Sequence, residues 1–517
     1  MTTYTLKDYR DMLESRGILA GSELKDPETP VFALSFDSRN VIPGTLFIAK
    51  GLHFREEYLE SARVSGAICY VAERKIGDSF GNRMIVSDMR EAMACLAKMF
   101  YRDPLSSLES FAVTGTKGKT TSVTFLKYIL DLDAGRNGGK PAGLSCSVDI
   151  FDGREHIEPV NTTPEAPDLW KYMASARDSG LSRFAVEVSS QAIKYKRTAG
   201  MTFDVACLTN VGYDHIGPAE HPDFEDYFTT KLKIFDSCRK ACVNIDDPLS
   251  GRMLEYIGGR VPVITFGMSE GAVVRLSDVS REGGRSVFTI TFDGRPCRMS
   301  ISMPGMFNVK NALYAAAMAY AAGISPETVR DAVADARVKG RMLKYSSADG
   351  KLVILIDYAH NGMSFSALFD SLDAEYPDTR RVIIYGWHGN KGENRRHDIG
   401  VVTGERADLT VITEKDSADE PFEKIADEVK HWITSVGGRC AVIKDRECAL
   451  RAAVAADLSD TPRKTDGDPD PDRRVVVFAG RGEEDWQKWG GSYYRWPTDP
   501  EMTEKIIAEY DSVHPAD

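Results

Sequence analysis

The stretch that most constrains this chain is the run Phe-Ala-Val-Thr-Gly-Thr-Lys-Gly-Lys-Thr-Thr-Ser at residues 111–122. A short apolar strand leads into a glycine-containing turn, and a helical repeat of apolar side chains follows from Val123. Gly115 and Gly118 let the backbone N–H groups turn toward an anion, and the positive end of the helix points to the same place. The pattern predicts a phosphate-binding loop.

The residue types in this loop suit nucleotide chemistry. Lys119 is expected to meet the terminal phosphates as a point charge, and the Thr120 hydroxyl is expected to bind Mg²⁺. The spacing departs from GxxxxGK[ST], because Val113 stands where the first glycine is expected. An isolated Gly-Lys-Thr triplet is also a common turn, but a strand before it and a helix after it favour a nucleotide site.

Length and charge narrow the remaining choices. A chain of 517 residues exceeds one core and predicts about three domains. The net charge of −12 argues against a broad surface for nucleic acid or anionic membranes. The nine cysteines form no CxxC pair, and no apolar run exceeds strand length. We therefore expect buried, reduced thiols in a cytoplasmic protein that has no signal peptide and does not insert into membranes.

Alternating strand and helix patterns predict an α/β fold with three domains. An N-terminal α/β domain is assigned to residues 1–103 and a central phosphate-loop domain with a parallel sheet to 104–338. A C-terminal Rossmann-like domain is assigned to 339–517, where no GxGxxG fingerprint occurs. The charged, proline-containing stretch 459–473 is interpreted as a surface loop.

Polar residues at the carboxyl ends of the central strands are the candidate functional groups, because ligands bind at that edge of a parallel sheet. Glu187 is expected to be half-buried beside the phosphate loop as a magnesium ligand, with His215 as a second ligand or its orienter. Lys231 is expected to begin an amphipathic helix. Singly, these residues fit a helix cap, a satisfied loop histidine and a solvated charge. Together, on consecutive strand ends, they favour a shared site.

Two further pairs have open interpretations. Asn308 and Asn311 lie three residues apart on one face of a predicted helix, where an amide pair can bind an adenine edge, although asparagine is also common at helix N-caps. Asp37 and Arg39 precede a Pro-Gly turn, and on physical grounds alone they predict a surface turn.

These motifs, in their order along nearly the whole chain, resemble the Mur ligases of peptidoglycan synthesis. Asp37-Ser-Arg39, Asp445-Arg446 and the 479–485 stretch resemble the members that add the third amino acid to a UDP-muramoyl dipeptide. The other motifs that carry the resemblance are Thr114–Thr121, Asn161–Pro164, Glu187–Ser190, Thr209-Asn210, Asp214-His215, Lys231, Phe307-Asn308 with Asn311, Gly340-Arg341 and Asp357–His360.

The resemblance implies a reaction. The D-glutamate side-chain carboxylate attacks the γ-phosphate of ATP, and an amino group displaces phosphate from the resulting acyl phosphate. Cations must neutralise the two anions that meet. The resemblance implies ATP and Mg²⁺, with Glu187 and His215 at a second magnesium ion and Lys231 carbamylated as a further ligand. It also implies a monomer that binds a UDP-muramoyl dipeptide and an amino acid, and no nucleic acid.

The resemblance also implies the residues of each subsite. The catalytic set is Lys119, Glu187, His215, Lys231 and Arg341, with Arg341 completing the site on domain closure. Metal ligands are Thr120, Glu187, His215 and carbamylated Lys231. The nucleotide set is Gly115, Thr116, Lys117, Gly118, Lys119, Thr120, Thr121, Asn308, Asn311, Arg341 and Asp357. The muramoyl-dipeptide set is Asn161, Thr162, Thr163, Ser189 and Arg197, with Ser38 at the uridine of an N-terminal uridine-binding domain. The set for the amino acid is Glu414, Asp416, Gly480 and Glu484.

Departures from the family pattern concern the amino acid that is added. Relatives that take meso-diaminopimelate usually carry Asp-Asn-Pro-Arg, whereas the matching stretch here is Glu414-Lys-Asp-Ser417. The missing arginine and the acidic Glu414 and Asp416 suit a cationic side chain and favour L-lysine. Gly480 and Glu484 keep part of the diaminopimelate pattern. The expected acceptor is therefore L-lysine or meso-diaminopimelate. Tyr195 and Leu343 also differ from the residues often found at their positions.

Two alternatives remain at the level of sequence. One is another amide ligase of the superfamily, of the folylpolyglutamate or cyanophycin synthetase kind, although the N-terminal Asp37-Ser-Arg39 domain disfavours it. The other is a nucleotide-binding scaffold without catalysis, which the intact Lys119, Glu187, His215 and Lys231 disfavour.

Overall fold

We describe a computed structural model over residues 3–51, 54–77, 80–217, 220–387, 389, 393–417, 420–460, 473–489 and 492–515. The described part of the chain forms two compact units. The first comprises Met1–Arg275, Phe292–Arg295 and Tyr314–Val329, and the second comprises Leu276–Thr291, Pro296–Leu313 and Arg330–Asp517. Most of the loop predicted at 459–473 lies outside the described residues.

The first part of the chain builds a five-stranded sheet between helices. Its elements are α1 (Leu6–Ser15), β1 (Leu19–Glu23), β2 (Ala33–Ser35), β3 (Thr45–Ile48), α2 (Glu56–Val64), β4 (Ala67–Ala72), β5 (Arg83–Val86) and α3 (Met89–Phe100). The strand order is β1-β5-β4-β3-β2, and only β1 is antiparallel to its neighbour. One face packs against α1 and α3 and the other against α2, so this sheet is covered on both sides.

The central elements follow in the same unit. They are β6 (Glu109–Thr114), α4 (Lys119–Arg136), β7 (Gly143–Ser145), β8 (Ile150–Phe151), β9 (His156–Ile157), α5 (Ala166–Asp178), β10 (Arg183–Glu187), α6 (Ser190–Lys194), β11 (Phe203–Leu208), α7 (Phe224–Leu232), β12 (Cys238–Asn244), α8 (Ser250–Ile257) and β13 (Val263–Gly267). Strands β7, β10, β6, β11, β12 and β13 are parallel in that order. The carboxyl ends of β10, β6 and β11 therefore meet at one edge.

The remaining elements begin with three neighbouring strands, β14 (Val274–Glu282), β15 (Arg285–Phe292) and β16 (Arg295–Ile301). Gly283-Gly284 forms the turn between β14 and β15, and Asp293-Gly294 forms the turn between β15 and β16. These strands are followed by α9 (Met306–Ala321), α10 (Pro326–Val333), β17 (Leu343–Ser346), β18 (Leu352–Asp357), α11 (Gly362–Glu375), β19 (Arg380–Tyr385), α12 (Glu393–Arg406), β20 (Leu409–Ile412), α13 (Phe422–Ser435), β21 (Cys440–Val442), α14 (Arg446–Ala455), β22 (Arg474–Ala479), β23 (Trp486–Trp489), β24 (Ser492–Arg495) and α15 (Asp499–Val513).

The C-terminal sheet has the order β17-β18-β22-β19-β20-β21, and all pairs except β17–β18 are parallel. Its strands are apolar on both faces, because α11 to α13 cover one face and α14 and α15 cover the other. Each fully buried Phe or Leu in these layers contributes about 1.5–3 kcal/mol to folding. The expected α/β architecture is confirmed, while the three domain boundaries stay predictions.

The cysteines are largely as expected. All nine are free thiols, and seven are buried. The expectation of buried thiols is wrong for Cys448, which is exposed on α14. Among the described residues, no helix is long and apolar enough to cross a membrane.

Candidate active site

The phosphate loop joins the end of β6 to the start of α4. Gly115 has φ +149°, and a Cβ there would collide with the Thr209 hydroxyl group. Gly118, at φ +80°, is the N-cap of α4 and has no side chain to cap it. The first N–H groups of the helix are therefore left without a side-chain cap, which is the arrangement that binds phosphate.

Two lysine side chains converge on the carbonyl oxygen of Gly115. The Nζ atom of Lys119 donates to this oxygen at 3.0 Å, and the Nζ atom of Lys231 donates to it at 2.9 Å. Lys231 is 1% exposed, and burial followed by repulsion from Lys119 holds its pKa well below the ordinary value. Lys231 therefore gives up its proton far more readily than a surface lysine.

Lys231 lies near the end of α7 and does not begin a helix, so that prediction was wrong. The side chain of Asp223 accepts from the N–H of Asp226 and starts α7 at Phe224. The helix ends at Leu232 and a short 3₁₀ turn follows. Because Asp223 caps the helix, α7 begins at Phe224, well before Lys231, where the sequence pattern had placed its start.

Glu187 ends β10, the strand next to β6. Its carboxylate accepts the Thr120 hydroxyl at 3.0 and 3.1 Å, and it accepts both the N–H and the hydroxyl of Ser147 at 2.9 and 3.0 Å. At 1% exposure it is fully buried rather than half-buried as expected, because these donors satisfy it. Thr120 and Glu187 thus place hard oxygen atoms side by side.

His215 lies on the loop after β11 with a left-handed backbone, φ +57°. Its Nδ1 atom is 2.7 Å from Glu220 Oε1, and its Nε2 atom is 4.0 Å from Asp214 Oδ2. Asp214 in turn pairs with Lys117 of the phosphate loop at 3.3 Å. The His215 loop is therefore tied to the phosphate loop through Asp214.

Tyr227 of α7 connects these groups. Its hydroxyl oxygen is 3.1 Å from the hydroxyl oxygen of Thr116, and its ring centroid is 4.6 Å from Lys231 Nζ and 6.0 Å from the His215 ring. The predicted residues Lys119, Glu187, His215 and Lys231 are consequently assembled around one end of the central sheet.

The residues predicted for the dipeptide lie beside Glu187. The Thr163 hydroxyl donates to the Glu187 carbonyl oxygen at 2.8 Å and accepts the Ser189 N–H at 3.1 Å. Arg197 donates to the Thr163 carbonyl oxygen at 2.9 Å and pairs with Glu165 at 2.9 Å. Arg197 therefore holds the 161–165 loop, in which Asn161 is exposed and Thr162 partly exposed.

Ser38 is the first residue of a short 3₁₀ helix in the N-terminal sheet layer. The Asp37 carboxylate caps that helix through the Arg39 N–H at 2.9 Å and pairs with the Arg39 guanidinium at 2.7 Å. This is the surface turn that the sequence predicts, with Ser38 half-buried within it.

The other predicted nucleotide residues belong to the second unit. Asn308 and Asn311 lie inside α9, so they are not N-caps, and the Asn311 amide donates to the Asn308 amide oxygen at 3.3 Å. Asp357 accepts the N–H groups of Met342 and Ala359 at 3.1 and 2.8 Å, and burial raises its pKa. The Arg341 guanidinium stacks 5.0 Å from the Tyr358 ring, and its buried Nε atom makes no hydrogen bond.

The residues predicted for the amino acid lie on two loops of the second unit, after β20 and β22. Glu414 and Asp416 are 5% and 6% exposed. Gly480 has φ +96°, and burial raises the pKa of Glu484 while nearby Lys415 lowers it. Both loops leave the carboxyl edge of the C-terminal sheet.

Sequence reasoning missed Ser147 and Tyr227, which contact the predicted site residues. They have no local signature, because their contacts join elements that are distant in sequence. Over the described ranges, no group of three His, Cys, Asp or Glu residues is arranged to hold a metal ion.

A phosphate loop at the edge of a parallel sheet, with the partly buried Lys119 and the fully buried Lys231 and Glu187 beside it, defines a nucleotide-dependent enzyme of the phosphoryl-transfer class. Residues 113–319 match the Mur ligase middle domain, and residues 340–483 match the Mur ligase glutamate ligase domain. The chain belongs to the Mur ligase family, and it is an ATP-dependent ligase of peptidoglycan precursor synthesis.

Individual relatives extend over almost the whole chain. A UDP-N-acetylmuramyl-tripeptide synthetase of Lactococcus lactis subsp. cremoris (strain SK11) is 35% identical over 92% of this chain and 92% of its own. A UDP-N-acetylmuramoyl-L-alanyl-D-glutamate–L-lysine ligase of Enterococcus faecalis (strain ATCC 700802 / V583) is 34% identical over 95% of this chain and 96% of its own.

Solved structures show the same fold at lower identity. A UDP-N-acetylmuramoyl-L-alanyl-D-glutamate–2,6-diaminopimelate ligase is 21% identical, with a TM-score of 0.63, over 98% of this chain and 100% of its own. The MurF ligase of Thermotoga maritima in complex with ADP is 17% identical, with a TM-score of 0.61, over 94% of this chain and 100% of its own.

Proposed function

We propose that this chain joins L-lysine to the D-glutamate γ-carboxylate of UDP-N-acetylmuramoyl-L-alanyl-D-glutamate and converts ATP to ADP and phosphate. The observation that carries the proposal is the convergence of Lys119 and buried Lys231 on the Gly115 carbonyl oxygen, beside Thr120 and Glu187. The names of the curated relatives support the substrates.

The first step brings two anions together. A carboxylate oxygen attacks the γ-phosphorus of ATP, the bond from that phosphorus to the bridging oxygen breaks, and ADP leaves. Lys119 and the N–H groups at the start of α4 offset the charge of the triphosphate. Because these groups are fixed before the reaction, their electrostatic stabilisation requires no rearrangement during it.

In the second step the α-amino nitrogen of the acceptor attacks the acyl carbon. The bond between the acyl carbon and the oxygen that bridges to phosphorus breaks. Phosphate leaves with that oxygen, and the nitrogen loses a proton. A tight loop around Thr163 and Ser189 holds the D-glutamate end, and Arg197 braces that loop. Asn161 and Thr162 line the same loop, and Ser38 contacts the uridine.

The donor set fits magnesium. Thr120 and Glu187 offer hard oxygen atoms, and Mg²⁺ is normally bound by one or two carboxylates together with substrate phosphates. Few protein carboxylates are therefore needed. His215 stands on the adjoining loop as a further ligand. Bound Mg²⁺ supplies positive charge that neutralises phosphate oxygens.

Lys231 is suited to carbamylation. Carbon dioxide reacts with a neutral amine, and the depressed pKa of Lys231 makes that form available. The carbamate turns a buried cation into an anion with two oxygen atoms, which can support a magnesium ion. The carboxylates of Asp214 and Glu187 attract a positive charge at Lys231 and raise its pKa. A carbamate at Lys231 would replace this attraction with repulsion.

In the second unit we assign Asn308, Asn311 and Asp357 to the nucleoside of ATP and Arg341 to its phosphates. The orphaned Nε atom of Arg341 supports this assignment, because a buried guanidinium with an unfilled donor is costly without a ligand. Glu414 and Asp416 are assigned to the side-chain ammonium of L-lysine, and Gly480 and Glu484 complete that pocket.

An acceptor panel tests the function. The purified chain with ATP, Mg²⁺ and UDP-muramoyl dipeptide is given each common amino acid and meso-diaminopimelate in turn, and ADP release is measured with the mass of the product. We expect ligation with L-lysine, and little with meso-diaminopimelate because the arginine that would bind its second carboxylate is missing. Release with no member of the panel removes the assignment.

A further inference from the structure

Glu165 is a partly buried carboxylate that two cations share. Its Oε1 atom is 2.9 Å from the Nη2 atom of Arg197, and its Oε2 atom is 3.0 Å from the Nζ atom of Lys50. Burial acts to raise the pKa of Glu165, but Lys50 and Arg197 outweigh it and hold the pKa below its ordinary value. Glu165 is therefore an anion held between two cations.

The Glu165 side chain does not serve its own helix. Glu165 is the N-cap residue of α5, but its side chain accepts no hydrogen bond from the N–H groups of that helix. Side chains at N-cap positions are usually selected because they accept such a bond. The carboxylate of Glu165 is directed to Lys50 and Arg197 instead.

Lys50 comes from the N-terminal sheet. It follows β3, at the same edge where Phe36 follows the neighbouring parallel strand β2. The Nζ atom of Lys50 lies 4.7 Å from the centroid of the Phe36 ring, in a cation–π contact. Phe36 stands two residues before Ser38, which is assigned to the uridine. Lys50 therefore connects the strand ends beside the Ser38 turn to Glu165.

Arg197 continues the connection to the dipeptide loop. Its Nη1 atom donates to the Thr163 carbonyl oxygen at 2.9 Å, and the Thr163 hydroxyl donates to the Glu187 carbonyl oxygen at 2.8 Å. The Nε atom of Arg197 is buried and makes no hydrogen bond to any described residue. A buried donor is unfavourable unless a ligand meets it, so the guanidinium that Glu165 holds in place keeps a donor for the substrate.

We propose that Glu165 is a positioning residue that acts through Lys50 and Arg197 to fix the spacing between the uridine and dipeptide subsites, an inference that rests on the proposed function. The substrate is one molecule that occupies both subsites, so its two ends bind together only when the subsites are correctly spaced. Three partly buried charges in one network hold that spacing better than an isolated surface pair.

Two substitutions that change the charge in opposite directions test the proposal in the full chain. Lys50→Met removes a cation, and Glu165→Gln removes an anion. General attraction of the anionic substrate alone would raise the KM for UDP-muramoyl dipeptide in the first variant and lower it in the second. A spacing role predicts a rise of about 10- to 100-fold in both. The double variant should show no larger rise, because either change breaks the same connection.

The inhibition constant of UDP separates spacing from direct contact, because UDP reaches the uridine end and carries no dipeptide. This constant and the KM for ATP should stay within about threefold of the wild-type values in both variants. Lys50→Arg keeps the ion pair and should recover most of the loss. The matched control is Glu60→Gln, which removes an exposed carboxylate paired with Arg63 on α2 and should change none of the constants.

KM changes of opposite sign in the two variants, or no change in either, would overturn the proposal. Weaker inhibition by UDP in Lys50→Met would make Lys50 a direct ligand of the diphosphate and would also overturn it. Thermal unfolding shows whether each variant is folded. If Glu165→Gln does not fold, the KM for the dipeptide and the UDP constant of Lys50→Met decide between the same outcomes. Failure of the wild-type chain to ligate L-lysine is a different result, which removes the proposed function itself.

Discussion

At the scale of single residues, the Gly115 carbonyl oxygen is the centre of the candidate site. It accepts from Lys119 at 3.0 Å and from Lys231 at 2.9 Å, so two side chains that are distant in sequence are held at one point. Burial, followed by repulsion from Lys119, lowers the pKa of Lys231 and so favours its neutral form. The site is therefore prepared for a lysine that acts without its proton.

Replacing Lys231 by Ala should lower turnover by about 10²- to 10³-fold, because a group that stabilises the meeting of two anions is lost. A short-chain carboxylic acid added to the variant should restore part of the activity by taking the place of the carbamate. The measurement is ADP release across acid concentrations. The matched control is Lys233→Ala, two residues on and exposed. Normal turnover in the Lys231 variant would show that this role is mistaken.

Stability should depend on pH through the same residue. Between its depressed folded pKa and its ordinary value of 10.5, Lys231 binds a proton in the unfolded chain but not in the folded one. The free energy of unfolding therefore rises with pH in this window. Lys231→Met lacks the effect, so any stability advantage of the variant should shrink as pH rises, as measured by urea unfolding. A constant difference across the window would contradict the depressed pKa.

At the scale of elements, α6 and α7 are joined by a buried histidine. His221 is fully buried, with its Nδ1 atom 2.6 Å from Asp226 of α7 and its Nε2 atom 3.1 Å from the Ser190 hydroxyl of α6. Its backbone N–H donates to the His215 carbonyl oxygen at 3.1 Å. One residue thus connects α6, the His215 loop and α7, the helix that carries Lys231.

His221→Ala should destabilise the fold by about 2–3 kcal/mol, because Ser190 and Asp226 lose a buried partner. Turnover should fall as well, since the His215 loop loses its side-chain anchor. Chemical unfolding and ADP release measure the two effects. His156→Ala removes an exposed histidine that also pairs with an aspartate, Asp149, and should leave both nearly unchanged. Equal effects in the two variants would argue against the brace.

The elements also show what a sequence can predict. The alternation of strands and helices was predicted, because short apolar runs between polar turns, such as those of β3 and β20, define strands well. The start of α7 was missed, since its Asp223 cap outweighed the apolar pattern. Burial of Glu187 could not be predicted, because its donors Thr120 and Ser147 come from α4 and from the loop after β7. Local sequence patterns predict helices and strands, whereas tertiary contacts decide how deeply a charged side chain is buried and which groups it pairs with.

At the scale of the whole molecule, the chain is a ligase that joins ATP cleavage to amide formation. Family membership and the match over more than nine-tenths of the chain establish the class. The central claim is the proposed order of chemical events, in which phosphate is transferred to a carboxylate before the amide bond forms.

That claim is tested most directly by following oxygen atoms. The D-glutamate γ-carboxylate of the UDP-muramoyl dipeptide is labelled with a heavy oxygen isotope, and the released phosphate is analysed by mass after ligation of L-lysine. An acyl phosphate requires that one labelled oxygen leaves with each phosphate. Unlabelled phosphate, with the expelled label found in water instead, would contradict the mechanism.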